Sequence, residues 1–457
     1  MNFLEDTICA VATAPGQSGI SVVRISGKES KRIVEDLIKN FDGDNIDLKP
    51  RKAHFANLFH NESLLDQVVV TYFKAPASYT GEDVVEISTH GSIYIQQSLI
   101  ELLINNGARL AKAGEFTKRA FLNSKIDLSQ SEAIADLIAS ESKVGHQLAI
   151  KQLKGNISTE INTLREHLVN FASLIELELD FGEEDVEFAD RKELLELLNK
   201  ILTRIKLLTN SFKYGNAVKE GIPVAIAGPP NTGKSSLLNY LLNEDKAIVS
   251  EIPGTTRDTI EDKINISGYT FRFIDTAGIR DTPDVVESLG IERTHQRISK
   301  AAIILLVLDI NDDVLENEKI LEKIKASIME DEQQLILLLN KSDIYKRDVP
   351  NLLGKQIAIS VKTGEGLDIL NQELINVIKE MPGYNQELVL TNMRHYQAFK
   401  KAVEALERAR IGISSNISSD FVAQDIREAL HYLGEVTGAI STDEILGAIF
   451  SRFCIGK

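Results

Sequence analysis

The chain has 457 residues, which is enough for about two to four domains that each bury a hydrophobic core. Hydrophobic residues make up 43% and charged residues 26%, as is usual for globular proteins, and no apolar run is long enough to cross a bilayer. The net charge of −16 repels phosphates, so a nucleic-acid partner requires a local basic surface.

The two cysteines and the first residues indicate the cellular compartment. Cys9 and Cys454 lie at opposite ends of the chain, which excludes a disulfide framework and fits a reducing environment. The first residues have no basic segment before an apolar one, so we expect no signal peptide. These features favour a cytoplasmic protein.

The first predicted domain, residues 1–118, has a mixed α/β pattern. Apolar and β-branched runs predict strands, and apolar residues spaced by three and four predict helices. The predicted strands are Ile20–Ile25, Asp66–Phe73 and Val84–Ser88, and the predicted helices are Glu29–Ile38 and Ile93–Asn105. Pro76–Asp83 is rich in hydrogen-bonding side chains and is expected to be a loop.

Helical spacing marks residues 119–217 and returns in residues 380–457. The clearest helical runs are Lys143–Leu179, Arg191–Phe212, Arg394–Ala409 and Asp420–Val436. The acidic segment Asp180–Glu187 is expected to be a solvated loop, with a metal or basic-ligand role as the alternative. Because domain termini often lie close together, the two helical stretches are predicted to form one discontinuous domain around an inserted one.

Residues 218–379 alternate short apolar runs with helical stretches, which predicts βαβ units and a mostly parallel sheet. Ala302–Leu308 and Leu335–Leu339 are apolar throughout, as strands buried on both faces are. Glu261–Ser267 and Thr270–Ile274 predict an antiparallel hairpin at the sheet edge. The predicted fold class is therefore multidomain, with an N-terminal α/β domain, a discontinuous helical domain and an inserted α/β domain.

A phosphate-binding loop lies near the start of the inserted domain, in Gly228–Ser235. The apolar run Ile222–Ala227 precedes it and a predicted helix follows, so backbone N–H groups and the helix N-terminus can face phosphates. Lys234 can reach the β- and γ-phosphates, and the Ser235 hydroxyl can bind Mg²⁺. The pattern predicts a Ras-like P-loop domain, the alternative being a Gly/Pro turn with an ordinary helix cap.

The segment Asn340–Asp343, directly after a predicted buried strand, indicates which base is bound. The Asp343 carboxylate can accept hydrogen bonds from the N1–H and exocyclic amine of guanine, which adenine does not offer. Asn340 can link this segment to the phosphate loop, and the stem of Lys341 can cover the base. The backbone of Ser360–Lys362 can support the guanine carbonyl. Together with the phosphate loop, these residues predict GTP.

Two further segments are predicted to lie at the γ-phosphate. Asp275–Gly278 follows the predicted hairpin, and there Asp275 can hold Mg²⁺ through water while the Gly278 N–H can contact the γ-phosphate. Gly254–Asp258 lies where a switch segment is expected. Thr256 is the candidate for a second hydroxyl on Mg²⁺.

Ile279 follows Gly278, at the position where Ras-like proteins have a glutamine that orients the attacking water. An aliphatic side chain cannot polarise water. Asn231 and the oxygen-rich segment Ser250–Thr256 can instead hold a monovalent cation that stabilises developing charge. Glu287 can position the water, with an exposed glutamate at a helix start as the alternative.

The whole chain resembles the MnmE (TrmE) family of tRNA modification GTPases. The motifs that carry the resemblance run from one end of the chain to the other. They are Asp6–Ile8, Pro15–Ile20, Arg24–Gly27, Tyr79–Glu86, Gly114–Asn123 and the ending Phe453-Cys454-Ile455-Gly456-Lys457. That ending, combined with a GTPase inserted in a helical domain, is the most specific feature.

The resemblance implies a function that composition and spacing do not show. Family members have an N-terminal tetrahydrofolate-binding domain that forms a homodimer. With the flavoprotein MnmG (GidA), which supplies FAD, they install a (carboxymethyl)aminomethyl group on carbon 5 of the wobble uridine of certain tRNAs, using a one-carbon unit from the folate. Their GTPase domains pair with K⁺ bound, and hydrolysis drives the rearrangement.

The resemblance also assigns roles to residues. Arg24, Glu86, Lys125 and Lys457 match folate-contacting positions, and Asn231, Ser250, Ile252 and Thr255 match K⁺ positions. Glu287 matches the water-orienting glutamate, and Cys454 is a candidate catalytic thiol, with a small core residue as the alternative. The predicted GTP-binding residues are Asn231, Gly233, Lys234, Ser235, Ser236, Ser250, Thr255, Thr256, Asp275, Thr276, Ala277, Gly278, Asn340, Lys341, Asp343, Ser360, Val361 and Lys362.

A regulatory GTPase switch in RNA or ribosome assembly is the alternative function, because the GTPase motifs fit both classes. A switch of that kind often carries a basic RNA-binding appendage. This chain is acidic and ends in Cys454–Lys457, which favours the modifying enzyme.

Overall fold

A computed structural model describes residues 6–60, 63–180, 191–246, 262–274, 298–328, 333–345, 355–415, 417–451 and 453–456. The chain divides into two compact units. Unit 1 contains Met1–Ala135, Gln152–Asn170 and Leu430–Lys457, and unit 2 contains Asp136–Lys151 and Phe171–Ala429. The predicted boundaries near residues 118, 217 and 379 remain predictions.

Strands and helices have the following bounds. The strands are β1 (Ile8–Val11), β2 (Ser18–Ser26), β3 (Ile38–Lys39), β4 (Ala53–His60), β5 (Ser63–Phe73), β6 (Val84–Gly91), β7 (Arg109–Leu110), β8 (Ile222–Ala227), β9 (Asp262–Ile266), β10 (Tyr269–Phe273), β11 (Ile303–Asp309), β12 (Gln334–Asn340) and β13 (Gln356–Ala358). The helices are α1 (Ser30–Glu35), α2 (Ile93–Asn105), α3 (Glu115–Leu122), α4 (Leu128–Ala139), α5 (Lys143–Leu153), α6 (Asn156–Asp180), α7 (Arg191–Glu220), α8 (Lys234–Lys246), α9 (Val314–Lys325), α10 (Leu367–Glu380), α11 (Met393–Ser414), α12 (Ser419–Thr437) and α13 (Asp443–Phe450). In the described part of the chain, none of these helices is long and apolar enough to cross a membrane.

Unit 1 is built on a seven-stranded sheet in the order β3-β4-β5-β6-β2-β1-β7. Neighbouring strands are antiparallel except β1 and β7, which run parallel. Burial alternates along β5, because successive side chains of a strand point to opposite faces. Val68 and Val70 of β5 and Ile87 of β6 lie in the core, where they join Leu99 of α2.

The first predicted helix is shorter than expected. Glu29–Ile38 was the predicted range, and α1 covers only Ser30–Glu35. The chain leaves the helix because Ile38 pairs with Leu58 of β4 and is buried there. Strands β1, β4 and β7 were not predicted, since β4 mixes polar and apolar residues and β7 has only two residues.

The helical segments follow the predicted runs with one interruption. The run predicted from Lys143 to Leu179 is divided into α5 and α6 at Gly155, which lies between them. Gly155 has a φ of +83°, and a left-handed backbone conformation cannot continue a helix. Helix α11 packs against α7. The rings of Phe212 and Tyr396 stack there with centroids 4.5 Å apart.

Unit 2 contains a six-stranded sheet in the order β13-β12-β11-β8-β10-β9. The predicted hairpin is present as the antiparallel pair β9 and β10, and all other neighbouring strands of this sheet run parallel. Thr270–Ile274 is antiparallel to its hairpin partner β9, as predicted, but the prediction that it lies at the sheet edge was wrong, because β10 also pairs with β8 in parallel and β9 is the hairpin strand at the edge. Phe271 and Phe273 of β10 are buried, which suits an interior position.

The predicted fold class is confirmed. Unit 1 contains a mostly antiparallel sheet together with helices, and helices of the predicted helical runs lie in both units. Unit 2 contains the mostly parallel sheet, and the phosphate loop lies between its strand β8 and helix α8.

Candidate functional site

The phosphate loop Gly228–Ser235 follows β8, and its last two residues, Lys234 and Ser235, are the first two of α8. Its two glycines lie so close to neighbouring atoms that a side chain would not fit at either position. A Cβ on Gly228 (φ +138°) would lie 2.1 Å from the Val307 carbonyl oxygen, and one on Gly233 (φ +99°) would lie 2.2 Å from Asn340 Nδ2. Asn231 also has a positive φ, of 61°. The loop is therefore curled as a phosphate cradle requires.

Lys234 lies inside this loop. Its ammonium donates a hydrogen bond to the carbonyl oxygen of Pro229, and the Thr232 hydroxyl donates to the same oxygen at 3.0 Å. Burial lowers the pKa of Lys234 from its ordinary value. Lys234 is half-buried, and within the described part of the chain its ammonium bonds to the Pro229 carbonyl, so an arriving phosphate would improve the environment of this cation. Ser235 and Ser236 follow in the first turn of α8.

Asn340, the last residue of β12, joins the predicted base loop to the phosphate loop. Its side-chain Nδ2 donates to the Thr232 carbonyl at 2.7 Å, and its Oδ1 accepts from the Val361 N–H at 3.2 Å. Asn340 is 4% exposed, so these bonds satisfy an amide that is removed from water. The link between the two loops that the sequence predicts is present. The backbone N–H of Val361 therefore already donates to Asn340 and is not directed at a ligand.

The carboxylate of Asp343 is oriented by a residue whose side chain the sequence analysis did not consider. Ser360 Oγ donates to Asp343 Oδ1 at 2.8 Å, while the side chain of Asp343 remains exposed to solvent. Ser360 itself is fully buried, and its Oγ accepts from the Thr363 N–H at 3.3 Å. Lys362, beyond it, is exposed. The exposed carboxylate thus has a fixed orientation in which it can accept two hydrogen bonds from a base.

Several predicted site residues lie outside the described part of the chain. They are Ser250, Ile252, Thr255, Thr256, Asp275, Thr276, Ala277, Gly278, Glu287 and Lys457, together with Ile279. The described segment 262–274 ends at Ile274, whose N–H donates to the Val224 carbonyl of β8 at 2.9 Å. The chain before Asp275 therefore runs beside β8, the strand that precedes the phosphate loop.

A second group of predicted residues meets in unit 1. Arg24 of β2 and Glu86 of β6 are opposite each other in the sheet, and Arg24 Nε donates to Glu86 Oε1 at 2.9 Å. The guanidinium Cζ lies 5.2 Å from the ring centroid of Tyr79 and 5.7 Å from that of Phe116. Arg24 Nη1 also donates to the carbonyl oxygen of Gly456 at 3.3 Å.

Lys125 lies along the loop Pro76–Asp83 of the same unit. Its Nζ donates to the Pro76 carbonyl at 3.0 Å, and the side chain of Asn123 donates to the Thr80 carbonyl at 2.7 Å. A Cβ on Gly81 would lie 3.2 Å from Lys125 Cγ. The loop therefore connects Lys125 to Tyr79 and, through its ring, to Arg24.

A buried ion-pair network that the sequence analysis missed holds this loop against α3. Arg119 is 2% exposed and donates to Glu82 Oε2 at 3.0 Å, to Glu115 Oε1 at 3.3 Å and to the Asp6 carbonyl at 2.7 Å. Burial would raise the pKa of Glu115, but hydrogen bonds from Arg109 and the Lys112 N–H outweigh it and hold that pKa below its ordinary value. Glu82 and Arg119 both lie in motifs of the resemblance.

The two cysteines differ sharply in environment. Cys9 is fully buried in β1, and burial raises the pKa of its thiol to about 11. Cys454 is exposed, and its carbonyl accepts from the Gly114 N–H at 3.4 Å. A Cβ on Gly456 (φ +100°) would lie 2.3 Å from the Val11 carbonyl oxygen, so the chain end runs closely along β1. Of the two thiols, only that of Cys454 is accessible.

Comparisons with known proteins agree along the chain. The family described as "GTP-binding protein TrmE N-terminus" matches residues 7–125, and the family described as "MnmE helical domain" matches residues 128–454. The tRNA modification GTPase MnmE of Flavobacterium johnsoniae is 49% identical over 471 residues, covering 99% of this chain and 99% of that protein. The MnmE of Porphyromonas gingivalis is 49% identical over 475 residues, covering 100% of this chain and 99% of that protein.

A third relative and a solved structure match as well. The MnmE of Bacteroides thetaiotaomicron is 48% identical over 466 residues, covering 99% of this chain and all of that protein. The G domain of the T. maritima FeoB iron transporter is 29% identical, covering 34% of this chain and 98% of that chain, with a TM-score of 0.25. From the two matching families and the full-length relatives, the chain belongs to the MnmE family of tRNA modification GTPases.

Proposed function

We propose that this protein hydrolyses GTP to GDP and phosphate at the loops joined by Asn340, and that hydrolysis drives modification of tRNA. The observation that carries the proposal is the pair of hydrogen bonds that Asn340 makes to Thr232 and Val361. They fix a guanine-selective carboxylate, Asp343, relative to a phosphate cradle that contains Lys234. The names of the relatives are those of tRNA modification GTPases, which supports both parts.

In the proposed site each described residue has one task. The ammonium of Lys234 transfers its hydrogen bond from the Pro229 carbonyl to the β- and γ-phosphates. The hydroxyl of Ser235, in the first turn of α8, is suited to Mg²⁺, a hard cation that prefers oxygen ligands. When bound, Mg²⁺ neutralises charge on the phosphate oxygens. Thr256 would supply a second hydroxyl and Asp275 a bond through water.

Hydrolysis is proposed to depend on K⁺ and Glu287. Ile279 cannot orient water, and Asn231, Ser250, Ile252 and Thr255 are the proposed K⁺ ligands. Asn231 lies in the phosphate loop and has a left-handed backbone conformation, which asparagine adopts more readily than most residues. The cation would replace an arginine finger in stabilising charge on the transferred phosphoryl group.

GTP turnover in KCl and in NaCl at equal ionic strength tests this proposal. We expect GTP turnover to be at least about tenfold faster in KCl than in NaCl, since a cation that stabilises charge in the transition state typically changes rates by orders of magnitude. A Glu287→Ala variant should bind GDP like the parent and turn over slowly. Equal rates in both salts would remove K⁺ from the proposal, and equal loss of binding and turnover would make Glu287 a structural residue.

The chemistry on tRNA is proposed to use a folate bound in unit 1. Arg24 lies within 5.7 Å of the ring centroids of both Tyr79 and Phe116 and bonds to Glu86, which gives a cation, an acceptor and aromatic faces within one site. A folate offers a carboxylate tail, donors on a pterin and an aromatic surface, so the chemistry matches. Lys125 and Lys457 are the other proposed contacts, and Cys454 the proposed thiol. The bound one-carbon group would go to carbon 5 of the wobble uridine.

The proposed assembly contains a homodimer, the flavoprotein MnmG (GidA) with its FAD, and tRNA, in the cytoplasm. Because the chain is acidic, with a net charge of −16, we expect tRNA binding to need the partner protein or a local basic surface. Incubating tRNA with this protein, the flavoprotein, folate and GTP should yield the modified uridine. A GTPase that is active but yields no modified uridine with any of these components would favour the regulatory switch instead.

A further inference from the structure

The guanine loop has a third internal contact besides those of Asn340 and Asp343. Lys341 Nζ donates to Oδ2 of Asp309, the last residue of β11, at 2.5 Å. Asp309 lies directly opposite Asn340 in the parallel register of β11 and β12. The carboxylate is thus on the strand that neighbours the base loop, and its position follows from the sheet.

Asp309 is itself held rigidly. Its Oδ1 accepts from the backbone N–H of Asn311 at 3.0 Å and from its side-chain Nδ2 at 2.9 Å. Its carbonyl oxygen accepts from the side chain of Asn317, a residue of α9 that is 2% exposed. Burial would raise the pKa of Asp309, but the hydrogen bonds from Lys341 and Asn311 outweigh it, so that pKa lies below its ordinary value. Asp309 therefore offers a fixed negative charge at neutral pH.

Lys341 needs such an anchor. Its backbone is left-handed, with φ 71°, a conformation that costs a non-glycine residue free energy and persists only when its surroundings enforce it. Its side chain is 35% exposed and has four flexible methylenes, so without an anchor it would sample many rotamers. Because the ammonium is anchored to Asp309, fewer rotamers are available to the methylenes of Lys341.

We propose that Asp309 is a positioning residue for guanine binding, which acts by fixing the stem of Lys341 over the face of the base. This inference rests on the proposed function, since it assumes that guanine binds beside Asp343. It goes beyond it by assigning a task to a residue on a different strand. Anchoring before the nucleotide arrives lowers the entropy that binding would otherwise lose.

A double-mutant cycle on nucleotide affinity tests the proposal. The dissociation constant of a fluorescent GDP analogue is measured for the parent, Asp309→Ala, Asp309→Asn, Lys341→Ala and the Asp309→Ala/Lys341→Ala double variant. We expect Lys341→Ala and Asp309→Ala each to weaken binding by about tenfold, the scale of a lost charge-assisted hydrogen bond. The double variant should bind like Lys341→Ala alone, since Asp309 acts through Lys341. Asp309→Asn keeps an acceptor and should bind between the parent and Asp309→Ala.

Two controls separate positioning from general damage. Glu322→Gln removes an exposed carboxylate of the neighbouring helix α9 and should leave GDP affinity within about twofold of the parent. The ratio of GDP to IDP affinity should not change in the Asp309 variants, because inosine lacks only the exocyclic amine that Asp343 recognises.

The proposal is overturned if Asp309→Ala and Lys341→Ala weaken binding additively, or if Asp309→Asn and Asp309→Ala both bind GDP like the parent. If Asp309→Ala does not fold, Asp309→Asn paired with Lys341→Ala gives the same cycle. Failure of the parent chain to bind GDP would instead refute the proposed function, and this inference would fall with it.

Discussion

The side-chain Nδ2 of Asn340 lies 2.7 Å from the carbonyl oxygen of Thr232 and joins a loop after β12 to the phosphate loop after β8. Strand β11 separates β8 from β12 in the sheet, so the two loops leave the carboxyl ends of next-nearest strands. The carboxyl ends of parallel strands are where ligands bind in folds of this class. A nucleotide bound here would have its base at one loop and its phosphates at the other.

Gly233→Ala should disrupt that link. The new Cβ would lie 2.2 Å from Asn340 Nδ2, and the buried Asn340 side chain would have to give up its bond to Thr232. The φ of +99° adds strain. We expect GDP affinity to fall at least about tenfold, or ~1.4 kcal/mol, in a fluorescence titration. Gly447→Ala, where nothing lies within 4 Å, is the matched control and should bind GDP like the parent. Unchanged affinity in Gly233→Ala would mean that Asn340 is not needed for binding.

Gly456→Ala should weaken folate binding without affecting GTP hydrolysis. Its Cβ would lie 2.3 Å from the Val11 carbonyl oxygen, so the chain end would shift and lose the bond from Arg24 to the Gly456 carbonyl. We expect the affinity for 5-formyltetrahydrofolate, measured by calorimetry, to fall about tenfold. Gly447→Ala serves again as control. Normal folate binding by Gly456→Ala would argue against a site that includes the chain end.

GDP affinity should decrease as the pH rises through the lowered pKa of Lys234. Burial lowers the pKa of Lys234 below its ordinary value of 10.5 in the free protein. Phosphates stabilise the charged ammonium and raise that pKa, so nucleotide binding takes up a proton between the two pKa values. GDP affinity is therefore highest below the lowered pKa of Lys234 and declines as the pH rises past it. Titration of guanine contributes as well, so Lys234→Arg, which stays charged, is the reference. An identical pH profile for parent and variant would contradict the proton uptake.

The two thiols should differ in reactivity. Cys9 is fully buried with a pKa raised to about 11, and Cys454 is exposed. Alkylation near pH 8 should therefore modify one thiol per folded chain and two in denaturant, because the thiolate is the reactive form and must be accessible. Mass spectrometry should place the first modification on Cys454. Modification of Cys9 in the folded chain would show that β1 opens readily.

Motifs that act through consecutive residues were predicted well from the sequence. The Gly228–Ser235 loop and the Asn340–Asp343 loop each depend on local backbone and on the strand before it, so the motif together with its preceding strand predicts the position of each loop. The link from Asn340 to Thr232 also followed, because parallel buried strands bring their carboxyl ends to one edge of the sheet.

Contacts between particular side chains on neighbouring strands could not be predicted, because they depend on strand order and register. Arg24 and Glu86 pair because β2 and β6 align them, and no local pattern gives that register. Asp309 reaches Lys341 only because β11 and β12 are neighbours. The position of β10 was wrong for the same reason, since a hairpin pattern does not tell which of its strands lies at the edge.

The most direct test of the account is the nucleotide preference of Asp343→Asn. Guanine donates two hydrogens to the carboxylate, whereas xanthine has a carbonyl in place of the amine and pairs better with an amide. We predict that the parent hydrolyses GTP and not XTP, and that Asp343→Asn loses GTP turnover and gains XTP turnover. Unchanged GTP preference in Asp343→Asn would contradict the assignment of the base site, and with it the geometry on which the proposed function depends.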